Sequence, residues 1–146
     1  MGKRRDGRTL AVQFLYQHEV GPTQKVEEGL ELFLHMSGPE DKVRDFALPL
    51  IHGVMKHKSS IDETLKKVSD NWDLQRMAPV DKNIIRLALY EMYFCPEVPP
   101  VVAINEAIEI AKTLSSFESG KFVNGILDRA RKELDRPARE AGTKKT

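Results

Sequence analysis

The chain has a single cysteine, Cys95, among 146 residues, so no internal disulfide can form. That is the cysteine usage of a reducing compartment, and a cytoplasmic location is expected. No apolar run approaches the ~20 residues that cross a bilayer as a helix. The basic start, MGKRRDGR, is followed by no uninterrupted apolar core, so it does not read as a secretory signal. Sustained apolar–polar alternation is missing too, which argues against strands. Aromatic residues are 7% of the chain and the net charge is only +1. What remains, at 40% hydrophobic and 31% charged, is an ordinary globular composition in a length typical of one domain.

Catalytic and metal signatures are equally scarce. His18, His35, His52 and His57 show no metal-ligand spacing, and the five-residue step from His52 to His57 does not place them on one helical face. Cys95, set among prolines, has no local sign of activation. Gly120-Lys121 fails as a phosphate loop, because Ser115 stands where that loop needs its first glycine. Glu106 and Glu109 lie one turn apart on an amphipathic helix, where a carboxylate pair is usually a solvated or partner-facing edge. The chain is therefore read as a binding protein, not an enzyme, with no cofactor and no metal.

Apolar residues recur instead at spacings of three and four, the helical period. Helix one is expected from about Arg4 to Val20, with Leu10, Ala11, Phe14 and Leu15 inward and Gly21-Pro22 as its stop. Gly7 suggests a loose first turn that orders on binding. Helix two is expected from about Gln24 to Met36, capped by Thr23 and ended by Gly38-Pro39. Helix three carries a stripe from Val43 to Met55 with Pro49 inside it, so a kink or break is expected. Ser60-Ile-Asp-Glu63 reads as a capping box opening helix four, whose inward positions are Ile61, Leu65, Val68 and Trp72. Pro79 suits the first turn of helix five, which turns Ile84, Ile85, Ala88, Leu89 and Met92 inward. After the rigid linker Cys95–Pro100, helix six presents Val102, Ala103, Ala107, Ile110, Ala111 and Leu114. The polar turn SSFESG leads into helix seven with Phe122, Val123, Ile126, Leu127 and Ala130. The class is all-α with about seven helices. Residues 1–134 form the domain, and the polar stretch 135–146 is expected to be disordered.

The near-neutral charge is segregated. Residues 1–8 carry a net +3, residues 129–146 a net +4, and residues 9–128 a net −6. Lys3, Arg4, Arg5 and Arg8 crowd the start of helix one, where positive charge opposes the macrodipole. On charge alone this is equally a solvated basic end or an anion site. Gln13 and Tyr16 lie one to two turns further along, and Lys121 opens helix seven. Single-stranded RNA is held by such groups, cations on phosphate and amide or aromatic side chains on bases. Taken without further information, Tyr16 is evenly balanced between that role and a half-buried core position, and Lys121 reads as an exposed lysine.

Three stretches, in order, carry a resemblance. Arg8-Thr-Leu-Ala-Val-Gln-Phe-Leu-Tyr16, Asp81-Lys-Asn-Ile-Ile-Arg-Leu-Ala-Leu-Tyr-Glu91, and Val102-Ala-Ile-Asn-Glu-Ala-Ile-Glu-Ile-Ala-Lys112 with Ser119-Gly-Lys-Phe-Val-Asn-Gly-Ile-Leu-Asp128 are similar to the first helix, fifth helix and C-terminal signature of the NusB family. The likeness runs from about Lys3 to Leu134. It implies two three-helix bundles packed crosswise. It also implies an antitermination factor that binds the boxA element of nascent RNA with the ribosomal protein NusE and joins the transcribing RNA polymerase, notably on ribosomal RNA operons. Carried over by position, RNA contacts would fall on Lys3, Arg4, Arg5, Arg8, Gln13, Tyr16 and Lys121. Partner contacts would fall on Asp81 and Glu118, where the residue type varies in the family.

Two other readings stand beside it. The same helical module resembles the N-terminal part of some ribosomal RNA cytosine methyltransferases, which would need a cofactor-binding domain beyond Leu134. A self-associating helical protein, dimerising through the RNA face, is the other.

Overall fold

The computed structural model describes residues 2–21, 25–70 and 74–134. Among them lie seven α-helices: α1 (Lys3–Val20), α2 (Val26–Ser37), α3 (Asp41–Lys56), α4 (Lys58–Val68), α5 (Pro79–Phe94), α6 (Pro100–Leu114) and α7 (Phe117–Lys132). One 3₁₀ turn, Leu74–Arg76, leads into α5, and no described residue is in a strand. The expected cap Thr23, the inward Trp72 and the tail from Asp135 lie outside the described residues.

Helix α5 organises the rest. It begins with Pro79 at its first position, where the missing N–H has no intrahelical partner to lose. It meets α1, α3, α4, α6 and α7. The N-terminal part is built on α1 against α3, the C-terminal part on α6 against α7, and α5 joins the two, the two-part helical architecture the resemblance implies. Helix α2 lies chiefly on α1, where the Phe33 ring meets Phe14 edge-on at 5.5 Å.

The apolar stripe of α5 is buried as expected. Its other face is buried as well and carries Lys82, Asn83 and Arg86, while Glu91 is buried on the stripe itself. Charge taken out of water must be paired. Arg86 reaches Asp62 of α4 through Nε and Nη2 at 2.8 and 3.0 Å, and also bonds Glu19 of α1. Lys82 Nζ lies 2.7 Å from the other Glu19 oxygen. Burial pushes the Glu19 carboxyl up, but the bonds and charges of Lys82 and Arg86 outweigh it and hold it below the usual range.

Several expectations are corrected. Pro49 does not break α3, because it sits on the exposed side, where water can take the freed carbonyl of Asp45. The Ser60–Glu63 capping box is not formed. Helix α4 starts at Lys58, and His57 ends α3 while its carbonyl accepts from Ile61 N at 2.9 Å, so Ser60 already lies inside the first turn. Val102 is exposed by more than a third, and Phe122 is only half-buried, at the edge of the core.

Gly7 is the most instructive case. It is buried, and a Cβ there would lie 2.7 Å from Phe46 Cδ1, 3.1 Å from Phe46 Cβ and 3.2 Å from the Val43 carbonyl oxygen. The glycine lets α1 approach α3 and is not a mark of looseness. Gly7→Val should therefore destabilise the protein by ~1–3 kcal/mol, as overpacking does. Denaturant titration checks it. A glycine present for looseness would give the opposite sign, since replacing a mid-helix glycine ordinarily stabilises, by roughly 0.5–1 kcal/mol for alanine and somewhat less for valine.

Candidate functional site

Helix α1 is two-sided. Arg5, Thr9, Gln13, Tyr16 and Val20 follow one another at steps of three and four on its outer face, while Leu10, Ala11, Phe14 and Leu15 face the core. At its start, Lys3 is exposed and bonds Glu40. Arg4 is exposed, and no ion pair among the described residues includes it. Arg5 grips Glu106 of α6 with two bonds, Nε to Oε1 at 3.1 Å and Nη2 to Oε2 at 2.6 Å. The Arg5 hydrogen bond holds the Glu106 carboxyl below its usual range against the opposing effect of burial.

Arg8 does not belong with these residues. It is only 5% exposed, and its guanidinium makes two 2.8 Å bonds to Glu91 of α5, itself 2% exposed. Glu106 lies a further 3.7 Å away, and the Phe46 ring sits 5.2 Å from the guanidinium carbon. Burial pushes the guanidinium down, yet the hydrogen bond and charge of Glu91, with Glu106, more than reverse that. The spacing that grouped Arg8 with Arg4 and Arg5 is real, but α1 turns Arg8 between itself and α5. A sequence signal for this existed. Glu91 falls three and seven residues after Ala88 and Ile84, on the buried stripe of α5, so a cation had to meet it.

Further along, Gln13 and the 38%-exposed Tyr16 line an open groove of ≈ 440 Å³ with Gln17, Phe33, Val80 and Leu114. The groove thus joins the outer face of α1 to the start of α5 and the end of α6. Arg5 beside Glu106 and the Gln13–Tyr16 segment beside Leu114 mean that α1 and α6 run alongside in the same direction.

The corner between α6 and α7 completes the surface. The Ser116 hydroxyl accepts from Ser119 N at 3.1 Å and caps α7, as the polar turn suggests. The Ser119 and Ser115 hydroxyls lie 2.8 Å apart, and Ser119 Oγ donates to Asp81 Oδ2 at 3.2 Å. Asp81 is only 8% exposed, and its Oδ1 is buried with no hydrogen bond among the described residues. It is an acceptor sealed under the corner, not an open acidic surface. Glu118 and Lys121 are exposed, 3.8 Å apart. So the fold brings Asp81, Glu118 and Lys121 to one corner and ties that corner to Gln13 and Tyr16 through Val80 and Leu114. Two residues that the sequence did not mark stand there as well, the exposed Phe117 and Lys112.

Elsewhere the chemistry is sparse. Burial pushes the Cys95 thiol up to about 11, away from reactivity. Among the described residues no three His, Cys, Asp or Glu side chains gather as a metal site, and no helix is long and apolar enough to cross a membrane. A second open groove, ≈ 500 Å³, lies between α4 and α7 and is lined by Ser69, Asp70, Lys121, Phe122, Gly125, Ile126 and Arg129.

The seven helices among the described residues form an all-α fold that sets its exposed charged and polar side chains along open grooves of the surface. Comparison with known proteins places it more closely. The sequence profile of the NusB family matches residues 5–132, and the chain belongs to that family. It is 41% identical over 142 residues to the transcription antitermination protein NusB of Myxococcus xanthus, covering 94% of this chain and all of that one. The fold matches T. maritima NusB with a TM-score of 0.80 at 39% identity, covering 93% and 94% of the two chains. It also matches a crystal structure of antitermination factors NusB and NusE in complex with double-stranded RNA, with a TM-score of 0.82 at 22% identity, covering 92% of this chain and 99% of that one.

The buried pair yields a test. Arg8→Ala should lower stability by ~3–5 kcal/mol, because it leaves the Glu91 carboxylate buried and unpaired. Combining Arg8→Met with Glu91→Leu should recover most of that loss. Urea denaturation of the wild type and both variants measures the two effects. An Arg8→Ala variant as stable as the wild type would show that Arg8 is in fact solvated.

Proposed function

We propose that this protein is a cytoplasmic, non-enzymatic transcription antitermination factor that binds single-stranded boxA RNA together with the ribosomal protein NusE. In this reading the pair joins the transcribing RNA polymerase complex and sustains transcription of ribosomal RNA operons. The observation that carries it is a row of surface groups: Lys3, Arg4 and Arg5 at the start of α1, then Gln13 and Tyr16 on the rim of a groove floored by Phe33, Val80 and Leu114, then Lys121 at the corner beyond it. A backbone of phosphates needs spaced cations, and splayed bases need amides and aromatic rings between them. Family membership and the antitermination proteins among its relatives support the same reading. They favour it over the methyltransferase module, since the M. xanthus antitermination protein is covered end to end.

Arg8 is assigned a positioning role, holding α1 so that Arg4 and Arg5 stay at the surface. Asp81 and Glu118 are assigned to the junction with the partner. Glu118 offers an exposed carboxylate, while the unbonded Oδ1 of Asp81 would accept a donor only if the corner opens.

Replacing Lys3, Arg4 and Arg5 together with alanine should weaken RNA binding, while the melting temperature falls no further than in Arg5→Ala alone, which loses the Glu106 pair. Removing one phosphate interaction should flatten the log–log salt dependence by ~0.7 for a single strand, and the triple variant should show the sum. An unchanged affinity and slope would reduce the cluster to a solvated end.

The partner should matter more than charge alone. The middle of the chain, residues 9–128, is net −6 and repels phosphate, so a basic ribosomal protein docked there extends the positive track. Coupling of this kind is typically ~1–3 kcal/mol, so boxA should bind about 5- to 150-fold tighter in the pair. Titrating boxA and a scrambled RNA into the protein alone and into the pair tests the function. Equal affinities in all four titrations would sink it.

A further inference from the structure

The α6–α7 corner carries a feature that the assigned contacts do not use. Phe117, the first residue of α7, is 61% exposed. An aromatic ring left in water next to two cations is an unusual surface element. Lys121 Nζ lies 5.1 Å from the ring centroid and Lys112 Nζ 5.8 Å from it. Both ammonium groups are exposed and lightly held, Lys121 at 3.8 Å from Glu118 and Lys112 at 3.0 Å from Glu109. A wet lysine over a ring is a weaker contact than a nucleobase stacked on it, so a base can displace either one. A displaced ammonium group stays on a flexible side chain close to the ring, within reach of a phosphate flanking that base. The corner is also continuous with the α1 groove, because Leu114 lines that groove and lies three residues before Phe117.

We propose that Phe117 is a stacking platform for one base of a single-stranded RNA, with Lys112 and Lys121 holding the phosphates on either side. This rests on the RNA-binding reading above and deepens it. It gives the track a specific base site at its far end, built on a ring that the polar turn hides in the sequence. The alternative occupant, an apolar side chain of a protein partner, would not need two flanking cations.

Binding of boxA RNA to the full chain with its ribosomal partner, followed by anisotropy, tests it with substitutions at the three positions. Phe117→Leu keeps an apolar side chain but loses the ring, and should weaken binding ~5- to 150-fold, the range of a single missing stack. Phe117→Tyr should bind as the wild type does. Lys112→Ala and Lys121→Ala should each flatten the salt slope by ~0.7. Because Phe117 is exposed, melting temperatures should stay equal. A set of boxA strands with 2-aminopurine placed at successive positions adds a direct readout. One position should be quenched in the wild type and released in Phe117→Leu. If wild type and Phe117→Leu bind alike with the same quenching, the platform is overturned while RNA binding stands. If Phe117→Leu instead weakens the pair with the ribosomal protein in the absence of RNA, the ring is a protein contact and the proposal fails. If wild type does not prefer boxA to a scrambled strand, the RNA reading itself has failed, and the platform with it.

Discussion

A guanidinium and a carboxylate locked together in the interior fix this molecule. Arg8 and Glu91 share two hydrogen bonds of 2.8 Å between α1 and α5, both nearly out of reach of water. A slip of either helix by one turn would strand both charges in the core, where an unpaired ion is far more costly than a small apolar void. The pair therefore sets the rotation of α1, and with it which residues of α1 look outward. Glu106 extends the arrangement to the surface. It lies near Arg8 and binds Arg5 in bidentate fashion, so the exposed arginine is oriented by the same interior charges.

A second tie stands at the other end of α1. Glu19 accepts from Lys82 and Arg86 near the beginning of α5, while Arg8 meets Glu91 near its end. The two helices must then run antiparallel, held at both ends by charge, with Leu15 and Val12 packed between. Arg86 passes the connection on to Asp62 of α4. A central helix buried on every side can carry charged residues only if each finds a partner, and here Lys82, Arg86 and Glu91 do so on neighbouring helices. The outer surface, from Arg5 through Gln13 and Tyr16 to the α6–α7 corner, is the consequence of that interior.

The helical class, most of the apolar stripes and the Pro79 start were legible because period and proline placement are local properties. What was not legible depends on neighbours distant in sequence. Gly7 reads as flexibility until Phe46 and Val43 of α3 are seen against it. Arg8 reads as one of three surface arginines until Glu91, 83 residues away, is seen beside it. The capping box at Ser60 failed because α3 runs almost directly into α4, which leaves no free helix start to cap. Phe117 carries no signal in the sequence, because a lone ring among polar residues has no periodicity to announce it. Its place beside Lys112 and Lys121 exists only once α6 and α7 are folded against each other.

The face from the start of α1 to the α6–α7 corner is the proposed binding surface, and the Arg8–Glu91 pair fixes its orientation from within. Amide hydrogen exchange with and without boxA RNA and the ribosomal partner measures this most directly. Added protection should concentrate in residues 3–17 and 112–121, while the exposed side of α3 around Arg44 and Pro49 exchanges as before. Protection centred on α3, or none in α1, would place the binding surface elsewhere.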